Sequence, residues 1–253
     1  MPGIAYQLYC SRNFPPLAQT CQMLRTAGYD MVEGYGALFS DTPTLEAALK
    51  DSGLSMPTAH MGLDLLEEDA QGTIDTAKRL GGETVIVPYL AAEDRPTDAA
   101  GWQAFGDRLA DAAKPLEGAG LRVGWHNHDF EFHQLDDGRV AQELILGGSD
   151  SLLAELDIGW IIVAGHDPVD WIKRYDGRIA AAHIKDIAPD GQNADEDGWA
   201  DVGHGVVDWA PILSALEKAG CRHLVVEHDN PSDDGRFARR SIEALNDMMG
   251  AMA

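Results

Sequence analysis

The sequence predicts a (β/α)8, or TIM, barrel formed as a single domain by residues 1–253. Three observations predict it. Eight short β-rich runs recur along the chain, seven of them follow a glycine suited to ending a helix, and the apolar period between runs switches from two to that of a helix. Sequential strands joined by helices wind with one hand, and eight such units in about 250 residues is the size of this barrel.

The first run, IAYQLY at 4–9, contains Gln7 and leads into LYCSRNFPP. That turn lacks the glycine-rich phosphate loop expected of an open doubly wound sheet. YDMVEGY follows Gly28 and carries Glu33, LSMPTAHM follows Gly53 and ends near His60, and ETVIVPYL follows Gly82 and ends near Pro88. A helical stripe of Trp102, Phe105, Leu109, Ala112 and Leu116 then precedes Gly120 and the fifth run, LRVGWHNH, with His126. LLAELDIGW after Gly148 carries Asp157, and RIAAAHIK after Gly177 carries His183. From Lys185 to Gly205 the chain is polar and acidic, the mark of a loop over one face. Asp208 is placed to cap a helix bearing Trp209, Ile212, Leu213 and Leu216, and HLVVEHD follows Gly220 with Glu227. The eight landmarks are separated by steps of 26, 27, 28, 38, 31, 26 and 44 residues.

Composition narrows the partners. Lys and Arg number 19 against 42 Asp and Glu, a net charge of −23 that repels phosphate backbones and anionic membranes. The expected partner is a small molecule, with homo-oligomerisation left open and nucleic acid and membrane surfaces excluded. Cys10, Cys21 and Cys221 are scattered and odd in number, which predicts neither disulfides nor a thiolate zinc site. With no signal-like start and no long apolar run, the expected location is the cytoplasm.

Barrel enzymes hold their chemistry where the C-terminal strand ends converge. Glu33, His60, Asp157, His183 and Glu227 all fall there, and burying such groups is costly unless they are paired or bind a metal. The stretch GWHNHDFEFH supplies the share of strand five. His126 and His128 alternate with Trp125 and Asn127, so both can face one side, and Glu131 lies far enough along to fold back. Glu131, Asp157, His183 and Glu227 form an oxygen-rich set suited to one Mn²⁺ or Mg²⁺ ion, with Co²⁺ or Zn²⁺ as alternatives. Glu33, His60, His126 and Lys185 are expected to contact substrate.

WHNHDFEF, ELDIGW…AGHDPVDWI, GRIAAAHIKD, VGHGVVDW and LVVEHD, in that order, resemble the xylose isomerase-like barrel superfamily, in its sugar phosphate isomerase/epimerase group. The resemblance spans nearly the whole chain. It implies a Glu, Asp, His, Glu set around one divalent ion, whose last three members carry over to Asp157, His183 and Glu227. Where many relatives have the first glutamate this chain has His126, so either Glu131 replaces it or His126 is itself a ligand. Resemblance to a subgroup with the same stretch favours Glu131. The implied reaction is isomerisation or epimerisation of a carbohydrate-like carbonyl compound through an enediolate, with Glu227, Glu131 and His128 as acid–base groups. The rivals are a lyase or dehydratase acting on a keto-inositol or 3-keto-glycoside, endonuclease IV-like repair, and a sugar-binding barrel without activity.

Overall fold

All eight runs become strands, at Gly3–Gln7, Met31–Gly34, Ser55–His60, Thr84–Val87, Arg122–His126, Leu153–Asp157, Ile179–Ile184 and His223–Val226. The structure, a computed structural model, describes residues 2–252. Each strand pairs in parallel with its sequence neighbours, and the first closes on the eighth with Gly3 opposite His223. The register shifts between Met31 and Glu33 and again between Ala154 and Glu155. Irregularities of this kind re-aim side chains, and here each one immediately precedes a fully buried glutamate.

The period of two builds the interior in layers. Ala5, Ala181 and Val225 form a small apolar cluster with Met31 against it. Two residues further along the same strands stand Gln7, His183, Glu227 and Glu33, so the apolar plug passes directly into a polar layer. Outward-facing residues such as Val123 and Trp125 join the larger core beneath the helices, where Trp125 meets Phe105 edge-on at 5.3 Å.

Five of the seven glycines adopt the left-handed conformation: Gly28, Gly53, Gly120, Gly177 and Gly220. Gly82 and Gly148 do not. Gly81 takes the left-handed position before the fourth strand, with φ 80°. Gly148 is required by close packing instead, since a Cβ there would fall 2.1 Å from the carbonyl oxygen of Gly106 in the long helix Ala99–Gly118. Asp208 does stand at the N-terminus of helix Trp209–Lys218, but its side chain makes no capping hydrogen bond.

The long acidic insertion is ordered by one carboxylate. Asp186 accepts from the backbone N–H groups of Ile187, Gly203, Gly205 and Val207 and from Trp209 Nε1, at 2.8–3.2 Å. Asp186–Ile187 also pair with Trp199–Ala200 as a two-stranded ribbon. The loop is thereby held over the barrel mouth with Trp199 buried. The three cysteines are buried and free, and no described helix is long and apolar enough to cross a membrane.

Candidate active site

A cavity of about 410 Å³ opens at the C-terminal ends of the strands, lined among others by His60, His126, His128, His183, Lys185, Glu227 and Asp229. Gln7 also reaches it, and Tyr9, Tyr35 and Tyr89 form its rim. A second groove of similar size lies on the outer surface between helices Pro168–Arg174 and Trp209–Lys218, and holds no comparable cluster.

On one side of the cavity the structure brings together Asp157, His183 and Glu227, with ligand atoms within 4.8 Å of one another. Asp157 Oδ2 and His183 Nδ1 are buried without a hydrogen-bond partner, and Glu227 Oε2 meets only the ammonium of Lys185. Asp157 is positioned by its other oxygen, which caps the following helix by accepting from Trp160 N at 2.9 Å. Unpaired atoms at full burial are costly, and two carboxylates with one imidazole are a donor set that fits a divalent cation.

The charge already present is that of Lys185, whose ammonium lies 2.6 Å from Asp229, 2.8 Å from Glu227 and 3.7 Å from Asp157. It also sits over the rings of Trp199 and Trp160, at 4.3 and 4.9 Å from their centroids. Burial works against the ammonium, but the three carboxylates outweigh it and raise the lysine's pKa. Burial also raises Glu227, to about 7, against the pull of Lys185. Asp157 is raised by burial as well.

Below lies a second cluster. His60 Nε2, His126 Nδ1 and His183 Nε2 stand 2.5, 3.1 and 3.3 Å from a single oxygen, Glu155 Oε2. Glu33 Oε1 lies 2.8 Å from His183 Nε2 and 3.1 Å from His60 Nε2, and receives a hydrogen bond from Gln7 Nε2 at 2.8 Å. Burial alone would depress His60, yet Glu33 and Glu155 lift it to about 9. His126 has its pKa lowered by burial and by His183. Burial and then Lys185 bring His128 down to about 3, so its ring is neutral in the physiological range.

Of the expected site residues, His60, His126, His128, His183, Lys185 and Glu227 line this cavity; Asp157 is fully buried beside His183 and Glu227, and Glu33, expected to contact substrate, is fully buried in the cluster below. Glu131 does not reach the cavity. The turn Phe130–Phe132 carries it to the outer side of strand five, where it accepts from Trp125 Nε1 at 3.1 Å and from His128 N at 2.9 Å. Trp125 faces the helices, so the carboxyl group that holds it points away from the cavity, and Glu131 does not join Asp157, His183 and Glu227 there. Burial raises this carboxyl to about 8. Sequence reasoning missed Glu155 and Asp229. Each stands two residues from a predicted landmark, Asp157 or Glu227, a spacing that puts both on the inner face.

Residues 21–248 match the sequence profile of the xylose isomerase-like TIM barrel family. An inosose dehydratase of Geobacillus kaustophilus is 28% identical over 221 residues, covering 74% of this chain and 70% of that protein. Among solved structures, a sugar phosphate isomerase/epimerase from Parabacteroides distasonis superposes with a TM-score of 0.80 at 20% identity, over 96% of this chain and 93% of the other. The IOLI protein, solved with a bound zinc atom, gives 0.78 at 18% identity over 98% of both chains.

Proposed function

The chain belongs to the xylose isomerase-like TIM barrel family, and from that premise we propose that it is a divalent-metal-dependent isomerase or epimerase acting on a sugar- or cyclitol-like polyhydroxy carbonyl compound through an enediolate. The observation that supports this reading is the convergence of Asp157, His183 and Glu227 at one cavity, with Asp157 Oδ2 and His183 Nδ1 buried and unpartnered. These three would hold the ion, with Mn²⁺ or Mg²⁺ favoured by the two carboxylates and Zn²⁺ or Co²⁺ as alternatives. Bound there, a divalent ion supplies stabilisation of negative charge on a substrate oxygen.

The remaining work falls to the chain's own groups. Glu227 lines the cavity, where its carboxylate suits the task of taking a proton from the carbon beside the carbonyl and returning it. Lys185 sets a permanent positive charge beside it. His128 enters from the end of strand five, three strands away from Glu227 around the ring of eight, and presents an unpartnered Nδ1 as a second proton carrier on the other side. Tyr9, Tyr35 and Tyr89 offer apolar faces to the C–H side of a sugar and limit water.

A second reading, elimination of water or another β-substituent, is favoured by the placement of Glu131. With that carboxylate turned away, Glu227 lacks an opposed glutamate, and one base suffices for elimination or for a one-sided proton shift. The inosose dehydratase relative supports the same alternative. Incubating metal-loaded protein with ketoses, inososes and 3-keto-glycosides in D₂O tests both. Deuterium in a recovered isomer with all substituents kept supports isomerisation, and loss of a substituent supports elimination. Neither exchange nor turnover with any of them would overturn the enediolate reading.

A further inference from the structure

The floor cluster beneath the cavity has the arrangement of ligands around a missing centre. Three imidazole nitrogens from three strands are directed at one oxygen, Glu155 Oε2, at 2.5–3.3 Å, while Glu155 Oε1 has no partner at all. The ligand atoms of His60, His126, Glu155 and His183 lie within 4.8 Å of one another. For metal–ligand bonds of about 2.0–2.1 Å, the edge of a tetrahedron is about 3.3 Å, and Glu155 Oε2 stands 3.1 Å from His126 and 3.3 Å from His183, with His60 nearer at 2.5 Å. All four residues are buried, so the position is shielded from bulk water.

We propose that His60, His126, Glu155 and His183 form a tetrahedral, nitrogen-rich site for a transition-metal dication such as Zn²⁺, distinct from the oxygen-rich group of Asp157, His183 and Glu227. With all four positions supplied by the protein, this ion braces the cavity floor and does not touch substrate. Three nitrogens and one oxygen disfavour Mg²⁺ and favour Zn²⁺, Co²⁺ or Fe²⁺. His183 stands between the two groups. Its Nε2 lies 2.8 Å from Glu33 and 3.3 Å from Glu155 and its Nδ1 3.8 Å from Asp157, so filling both groups at once would require His183 to release its N–H proton and bridge as an imidazolate. The floor site stands whether or not the upper group holds a metal.

Co²⁺ titration of the chelator-treated full chain, followed by visible absorption, tests the assignment because tetrahedral Co²⁺ absorbs far more strongly than octahedral Co²⁺. The wild type should develop the intense tetrahedral band and saturate it at one equivalent. Glu155→Gln and His126→Asn should each lose the band, while Asp157→Asn, which keeps the acceptor for Trp160 N, should retain it. A wild type showing only the weak octahedral spectrum overturns the proposal without any variant, and so does a band that survives both floor variants and vanishes in Asp157→Asn.

Discussion

Replacing Glu131 by alanine separates a ligand from a structural brace. In the structure its two oxygens accept from Trp125 Nε1, which is buried, and from His128 N, which is part-buried. Alanine leaves those two N–H groups without acceptors, at about 1–3 kcal/mol each. Removing a carboxyl group from a fully buried position recovers part of that, so the net loss is about 2–5 kcal/mol. This corresponds to a fall of about 1–2 M in the urea midpoint for a protein of this size. The loss should also depend on pH. Burial raises the Glu131 carboxyl from 4.5 to about 8 in the folded chain, so between those values the folded state keeps a proton that the unfolded state releases. That contribution is complete below about 4.5 and disappears as pH rises through about 8. The wild type therefore carries a decline with pH that Glu131→Ala lacks, and the gap between them should be wider at pH 6 than at pH 9. Bound metal, measured by elemental analysis on the folded variant, should be unchanged. An alanine variant with a wild-type urea midpoint and no metal would refute the reasoning and restore Glu131 as a ligand.

Lys185→Met should lower the stability of the metal-free protein by about 3–5 kcal/mol, because Asp157, Glu227 and Asp229 lose their buried counter-charge. The same variant should bind Mn²⁺ more tightly in a chelator competition, since the ammonium no longer repels the ion; weaker binding would contradict the electrostatic role given to it. His128→Asn should keep its metal yet lose about 10²–10⁴ in turnover once a substrate is found, and an unchanged rate would remove His128 from the chemistry. At physiological salt, fluorescence anisotropy should detect no sub-micromolar binding to abasic DNA, as the net charge of −23 supplies no basic patch to release counterions.

The barrel was legible because its strands are short, apolar and separated by left-handed glycine turns at Gly28, Gly53, Gly120, Gly177 and Gly220. Most of the mouth was legible through the period of two. His183 and Lys185 share a face, and the same spacing would have found Glu155 beside Asp157 and Asp229 beside Glu227 had each run been read beyond its single landmark. Glu131 was not legible by that means. It lies past the strand in a one-turn helix, where parity no longer applies, and its direction is decided by the indole N–H of Trp125, a tertiary partner. Gly148 was misjudged for a related reason, since its role comes from a helix approaching at Gly106 and not from its own turn.

Mn²⁺ binding followed by the electron paramagnetic resonance of the free ion tests the central claim, that Asp157, His183 and Glu227 form a cation site at the cavity. The wild type should take up Mn²⁺ with a single tight phase, and Asp157→Asn and Glu227→Gln should each weaken it by 100-fold or more, on the order of 3 kcal/mol for the loss of one charged ligand. Equal Mn²⁺ affinity in the wild type and both variants would contradict it.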